Sequence, residues 1–316
     1  SPITRQTLKS DNNSLKQKAR QMWCLGKFLP LVIGGAIPND DEKWQHFLLL
    51  LRIIDIVFAP VVSVDELTIL EGYIEDFLWQ FTCIYPGRSI IPKMHYIVHY
   101  PAHIYRLGPM VRSWCMRYEA KHGYFKRLAM FMGNYTNVAV SLGDRHQTRN
   151  CYLMSTQAGR PRDEHLAKKP KIESAKQVVA GDCEHFALLK EKEPMLAETD
   201  VLCNPSTILL HGTKYRVGAV VYVGQSDNLP EFSSIQGIFL FNTASKIYFI
   251  VKRFKTVRYS SHFHSYEIQR PSPSANAFIL EPEKLKVYLP MHAVKPSRCQ
   301  NSPLYVSPSY LPPQTM

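Results

Sequence analysis

The hydrophobic period of this chain changes once along its length, and that change constrains the fold more than any single motif. Up to about residue 153 apolar side chains recur at helical spacing. From 205 they come in short β-rich runs divided by turn residues. Two periods in separate blocks predict an α+β protein: a mainly α-helical N-terminal region, then a small antiparallel β-barrel or sandwich. With 316 residues, each block can bury a core of its own.

In the first block Leu15, Ala19, Met22 and Trp23 follow Asn13-Ser14 at helical spacing, and Pro30 is expected to stop that run. Asn39 followed by Glu42 predicts a capping-box start. The helix it opens carries Trp44, Phe47, Leu48, Leu51, Ile54 and Phe58 on one face and ends at Pro60. Ser63 with Glu66 repeats the signature. Leu67, Leu70, Ile74, Phe77, Leu78 and Phe81 then line one side until Pro86-Gly87. Pro92, Pro101 and Gly108-Pro109 punctuate the next segment, and helices are predicted over 113–132 and about 137–157.

Residues 154–204 are rich in Lys, Glu, Ala and Pro and read as a linker between domains at 1–153 and 205–300. Within it Arg160-Pro161-Arg162 and Lys168-Lys169-Pro170-Lys171 form a basic run of a kind that can direct nuclear import, though such runs are more often just solvated linkers. Strands are expected near 208–210, 215–223, 235–241, 247–254, 264–268, 278–280 and 285–289, with a turn at Asp227-Asn228-Leu229-Pro230. The tail 301–316, with Pro303, Pro308, Pro312 and Pro313, is expected to be flexible.

The longest apolar candidate for a membrane span, His46 to Val62, is interrupted by Arg52 and Asp55, so no membrane partner is expected. Seven scattered cysteines without a CxxC pair suggest reduced thiols in an intracellular protein. The opening Ser1-Pro2-Ile3-Thr4 lacks an initiator Met and reads as a fragment or processed form.

The net charge of +12 is concentrated in one place. Residues 86–149 hold ten Lys and Arg against only Glu119 and Asp144, a net of +8, interleaved with Tyr, Trp, Phe and His. Cations alternating with flat rings suit a polyanion such as DNA. The same composition also fits a core helix pair with a solvated basic face. On a helix, Glu119 shares a face with His122, Gly123 and Lys126. A helix-borne carboxylate beside phosphate-binding cations can hold a divalent metal; a lone one more often pairs with Arg117, Lys121 or His122 and only relieves repulsion. His95, His99 and His103 have metal-like spacing, but Pro101 keeps one regular helix from carrying all three. His262 and His264, on an expected strand, would share a face.

The stretches Gln21-Met22-Trp23-Cys24-Leu25, Ile37-Pro38-Asn39-Asp40-Asp41, Ile91-Pro92-Lys93-Met94-His95 and His99-Tyr100-Pro101 belong together with Met116-Arg117-Tyr118-Glu119-Ala120-Lys121-His122, Phe125-Lys126-Arg127 and Asp144-Arg145-His146-Gln147. Over about 14–153 they resemble the C-terminal part of proteins encoded by animal CACTA (En/Spm)-type transposons. The β-rich part resembles them more loosely, through Leu210-His211-Gly212 and Ser261-His262-Phe263-His264.

The resemblance implies a ribonuclease-H-like transposase core with a helical insertion, whose DDE acids bind magnesium and drive strand transfer. It makes Glu119 the final catalytic acid and a Mg ligand. It also turns Lys121, His122, Lys126 and Arg127 to the DNA backbone, and Arg112, Arg117 and Arg145 of the same basic block join them as expected nucleic-acid-binding residues. The first two acids would lie outside this sequence; Asp55, the one candidate at Ile53-Ile54-Asp55-Ile56-Val57, reads as a helix residue. The expectation is therefore a nuclear, DNA-binding transposase remnant without strand-transfer activity of its own. The alternative is a non-catalytic protein in which the β module binds a protein partner. Lys252, Arg253, Lys255 and Arg258 would offer that module a second nucleic-acid surface.

Overall fold

A computed structural model describes residues 3–9, 15, 17–154, 171–210, 212–241, 246–272, 275–296, 303–308 and 311. It is an α+β protein with helices first and antiparallel sheets second. The helices are α1 (Arg5–Leu8), α2 (Ala19–Ile33), α3 (Glu42–Val57), α4 (Val64–Ile84), α5 (Pro92–Tyr96), α6 (Tyr100–Leu107), α7 (Cys115–Met132), α8 (Val138–Met154) and α9 (Phe186–Lys192). No helix among the described residues is long and apolar enough to cross a membrane.

The helical core is the α3–α4 hairpin. Leu49, Ile53 and Val57 of α3 meet Leu67, Leu70, Ile74 and Phe77 of α4, and Ile104 of α6 closes the cluster. The other side of α3 gathers Trp44, Leu48 and Leu51. Buried His46 is satisfied within the hairpin: its ring stacks on Phe77 at 4.3 Å and its Nε2 bonds the Phe77 carbonyl at 3.0 Å. Ser63 and Glu66 form the expected capping box, with Glu66 Oε2 accepting from the Ser63 amide at 2.7 Å. The start of α3 lies two residues later than expected. Its N-cap is Asp41, whose Oδ1 accepts from the Trp44 amide at 2.7 Å, while the Asn39 carbonyl receives the Gln45 side chain. Pro30 does not stop α2 but lies buried inside it. Its missing donor is tolerated one turn from the helix end, where the backbone passes into a 3-10 turn at Gly34–Ala36. Pro101 enters in the first turn of α6, after a 3-10 turn at Ile97–His99, so the three histidines do ride on separate segments.

Eleven strands are described: β1 (Lys171–Val179), β2 (Val201–Leu210), β3 (Thr213–Arg216), β4 (Val220–Ser226), β5 (Leu229–Phe241), β6 (Lys246–Arg253), β7 (Lys255–Ser260), β8 (Ser265–Gln269), β9 (Ala277–Leu280), β10 (Ala293–Val294) and β11 (Leu304–Val306). They form two open sheets, not a closed barrel. The larger runs β1-β2-β5-β6-β9, with β3 on β2 and β4 on β5; the smaller runs β10-β11-β8-β7. β6 explains the large sheet. Ile247, Phe249 and Val251 belong to one apolar cluster, while Tyr248 and Ile250 face another that includes Leu189 of α9. Both faces are covered, so the strand reads as an unbroken apolar run. A third cluster joins the sheets, with Val220, Tyr222 and Phe232 from one packed among Ile268, Leu304 and Val306 from the other.

Four expectations change here. Residues 171–204, expected within the linker, hold β1, a 3-10 turn and α9, and β1 pairs along β2 from Val179↔Val201 to Lys171↔Leu209. Within the tail, Leu304–Val306 is a buried strand between β8 and β10. Residues 215–223 split into two strands at Gly218, whose φ of +87° no strand tolerates. Residues 285–289 form no strand, although Leu285 and Val287 are buried. The Asp227-Asn228 turn is as expected, with φ of +50° and +62° joining β4 to β5. The basic run at 160–162 and 168–170 lies outside the described residues.

Candidate nucleic-acid interface and the cleft beside it

Helices α7 and α8 contribute no residue to any buried cluster among the described residues. Cys115–Met132 carries its apolar side chains around the whole helix instead of along one stripe, so it has no face to bury in a core. On one side His122, Lys126 and Arg127 stand exposed with Glu119. On the other, Tyr124 and Phe125 meet the His146 ring of α8 at 6.1 and 5.4 Å. The Lys121 ammonium lies 5.1 Å from the Tyr124 centroid and 5.9 Å from that of Phe125, and the Arg149 guanidinium lies 5.4 Å from Tyr124. Of these, the Arg149–Tyr124 contact crosses between the two helices beside the His146 ring contacts, while Lys121 meets rings of its own helix. Gly133, with φ of +64°, caps α7 in the left-handed conformation.

The expected DNA-facing set divides accordingly. His122, Lys126 and Arg127 share an exposed face of α7, and Arg145 is exposed on α8. Lys121 is half-buried against the rings. Arg112 ends a 3-10 turn at Met110–Arg112, beside a cleft, and does not belong to the hairpin. Arg117 is on α7, but its side chain lies outside the described set. Among the described residues no carboxylate forms an ion pair with any Lys or Arg between 86 and 149. In the β half, by contrast, Glu231 binds Arg253 at 3.2 Å and Glu267 binds Arg258 at 2.8 Å. Half of the second basic surface envisaged there is thus held by acids.

Glu119 is exposed and makes no ion pair with Lys121 or His122. No group of three or more His, Cys, Asp or Glu side chains that could hold a metal occurs among the described residues. A single carboxylate is one ligand and does not make a magnesium centre.

Histidines 262 and 264 do not lie on a strand. Residues 261–264 are the turn between β7 and β8, with His264 at φ of +48°, and this tip docks into the helical half. His262 Nε2 donates to the Gly34 carbonyl at 2.9 Å. Phe263 lies so close to Gly34 that an added Cβ there would fall 3.1 Å from its ring, which accounts for the glycine. His264 Nε2 donates to Asp55 Oδ2 at 2.7 Å, and its Nδ1 accepts from the Tyr259 hydroxyl at 2.8 Å. Burial first, then the Asp55 charge, push the Tyr259 phenol above its ordinary value. Asp55 is thus a helix residue, as expected, and serves as half of a bond between the two halves of the molecule.

Beside this junction lies a cleft of about 1310 Å³. Its helical wall includes Trp23, Leu51, Phe58 and Trp114; the opposite wall is formed by Tyr222, the turn 225–228 and residues 286–289. Lys27, Arg112 and Lys286 reach it, as do Asp55 and Asp227. Phe58 lies between the two indoles, 6.4 Å from Trp23 and 5.4 Å from Trp114. Lys27 is buried, and that burial pulls its ammonium down to about 8 against the opposing charges of Asp55 and Cys24. Sequence reasoning missed this site. Its residues come from segments more than two hundred positions apart, and no local pattern connects them.

No family model matches this chain, and neither a curated protein nor a solved structure matches it.

Proposed function

We propose that this protein binds nucleic acid through the α7–α8 arm, as a transposase-derived DNA-binding protein of the CACTA type. The single observation that supports this most is a set of exposed basic side chains, Lys126 and Arg127 beside His122 on α7 and Arg145 on α8, on two helices that bury no hydrophobic side chain among those described. Exposed Lys and Arg side chains without acidic partners suit phosphates, because each phosphate they neutralise releases a condensed counterion. The aromatic side chains interleaved with them, Tyr118 and Tyr135 among those exposed, add ring surface for sugars or bases. The motif resemblance of 14–153 points the same way, and a ribonuclease-H-like ancestry is what that resemblance would imply. Strand cleavage needs carboxylates beyond Glu119, so added magnesium is expected to give no nicking by this chain.

The test is binding of the full chain to duplex DNA across a salt series. Lys126→Ala with Arg127→Ala should weaken binding and reduce the log–log salt slope by up to about 1.8, at about 0.9 per phosphate contact. Arg253→Ala with Arg258→Ala, which removes cations already held by acids, should leave the slope alone. Equal slopes for the arm variant and the parent would retire the proposal.

A further inference from the structure

We propose that the cleft between the helical and β halves is a nucleotide site, separate from the exposed face of the arm. Its volume, about 1310 Å³, exceeds the usual ~300–1,000 Å³ of small-molecule pockets, so size does not exclude a base, a sugar and a phosphate together. The helical wall offers the flat surface a base requires, in Trp23, Phe58 and Trp114. None of the ring contacts among these three is a parallel stack: the planes are tilted by 55° and 74°. The charge is placed for an anion. Lys27, Arg112 and Lys286 converge on the cleft against Asp55 and Asp227, and Asp55 is already engaged by His264. Ser226 and Asn228, at the tip of the β4–β5 turn, add neutral hydrogen-bonding groups for a sugar or base edge.

The Lys27 ammonium lies 5.9 Å from the centroid of the Trp23 ring, so cation and indole meet at one place in the cleft lining. Arg112 and Trp114 also immediately precede α7, which begins at Cys115. A strand lying on the arm could therefore deliver an unpaired nucleotide into the cleft; a free nucleotide would use the same contacts.

The experiment is tryptophan fluorescence of the full chain. Trp23 and Trp114 line the cleft, whereas Trp44 is buried and Trp79 is exposed on α4. Titrations with AMP, adenosine, inorganic phosphate and a short thymidine oligonucleotide separate the contributions. AMP should quench saturably and bind at least tenfold tighter than adenosine or phosphate alone. Lys27→Met and Lys286→Ala should each weaken AMP binding several-fold, with the near-ultraviolet circular dichroism of the parent retained as proof of folding. Lys126→Ala with Arg127→Ala should leave AMP binding unchanged even where duplex binding is lost, so the two proposals fail separately. An oligonucleotide that binds more tightly than AMP identifies the source as a strand, and the reverse order as a free nucleotide. No saturation below about 1 mM, or equal affinity for AMP and phosphate, would overturn the assignment.

Discussion

Two helical hairpins of similar length stand in one chain with opposite fates. The α3–α4 pair buries Leu48, Leu51, Ile53, Leu70, Ile74 and Phe77, and each of its helices is opened by a side-chain cap. The α7–α8 pair buries no hydrophobic side chain among those described, and no side-chain cap opens α7. It presents instead cations without acidic partners and large exposed side chains such as Phe131 and Met130. The first hairpin spends its sequence on apolar periodicity. The second breaks that periodicity, and its helices meet through His146 against Tyr124 and Phe125 and through Arg149 against Tyr124. Helical propensity is common to both; what differs is whether the surface faces protein or something outside it.

The comparison breaks first if the two hairpins respond alike to truncation. Leu70 is fully buried, so Leu70→Ala should cost about 2–5 kcal/mol in urea unfolding. Leu128 is only half-buried on α7, and Leu128→Ala should cost less than about 1 kcal/mol. Native-state hydrogen exchange gives a second readout: amides of α4 should open with the global transition, and those of α7 well below it. Equal costs at the two leucines would mean that the arm is packed against something that the exposures do not reveal.

The next effect contrasts two lysines. Lys27 is buried with its pKa lowered to about 8 from 10.5, whereas Lys126 is exposed. Between those values the unfolded chain binds the proton more readily, so stability attributable to Lys27 rises as pH goes from 8 to 10.5 and is lacking below 8. The charges that act on it are those of Asp55 from α3 and Cys24 on its own helix, while His264 from the docked turn, Arg112 and Lys286 line the same cleft. Lys27→Met should therefore stabilise the protein at pH 7 by up to about 3 kcal/mol, at 1.36 kcal/mol per pH unit, and should lose the alkaline rise. Lys126→Met should stay within about 0.5 kcal/mol of the parent at every pH. An alkaline rise that persists in Lys27→Met would assign the titration to another group.

What could be read in the sequence follows from how local each signal is. The Ser63–Glu66 box, the Leu67–Phe77 stripe and the Asp227-Asn228 turn lie within a few residues, and all three are where the pattern placed them. β1 escaped because it is an edge strand with almost every residue exposed; with no face to bury, it carries no alternation and its lysines read as linker. β11 is only three residues long, too short to show a period, and its burial depends on β8 and β10 around it. The junction was unreadable for a stronger reason. The bond from His264 to Asp55 spans 209 positions and the bond from His262 to Gly34 spans 228, so only the folded chain brings them together. Of the expected contact residues, the shared face of His122 and Lys126 followed from helical spacing; Lys121 turns to the Tyr124 and Phe125 rings three and four residues on, a local contact that was overlooked, and only Arg112 was displaced by tertiary structure.

The smallest expected effect sharpens the comparison at the helix ends. Ser63 Oγ accepts from the Glu66 amide at 3.2 Å while Glu66 answers through the Ser63 amide, so two orphan donors at the start of α4 are satisfied by side chains. Ser63→Ala should remove about 1 kcal/mol, and Ser63→Thr should retain most of it. At the start of α7 the N-cap is Trp114, whose indole contacts Phe58 edge-on instead of bonding a free amide. Those first amides of α7 are left to solvent or to a bound anion, and a helix N-terminus favours an anion through its dipole. Ser63→Ala should therefore lower stability without altering duplex binding measured well below the melting temperature. A loss of DNA affinity in Ser63→Ala would show that the packed hairpin, and not the arm alone, sets the binding surface.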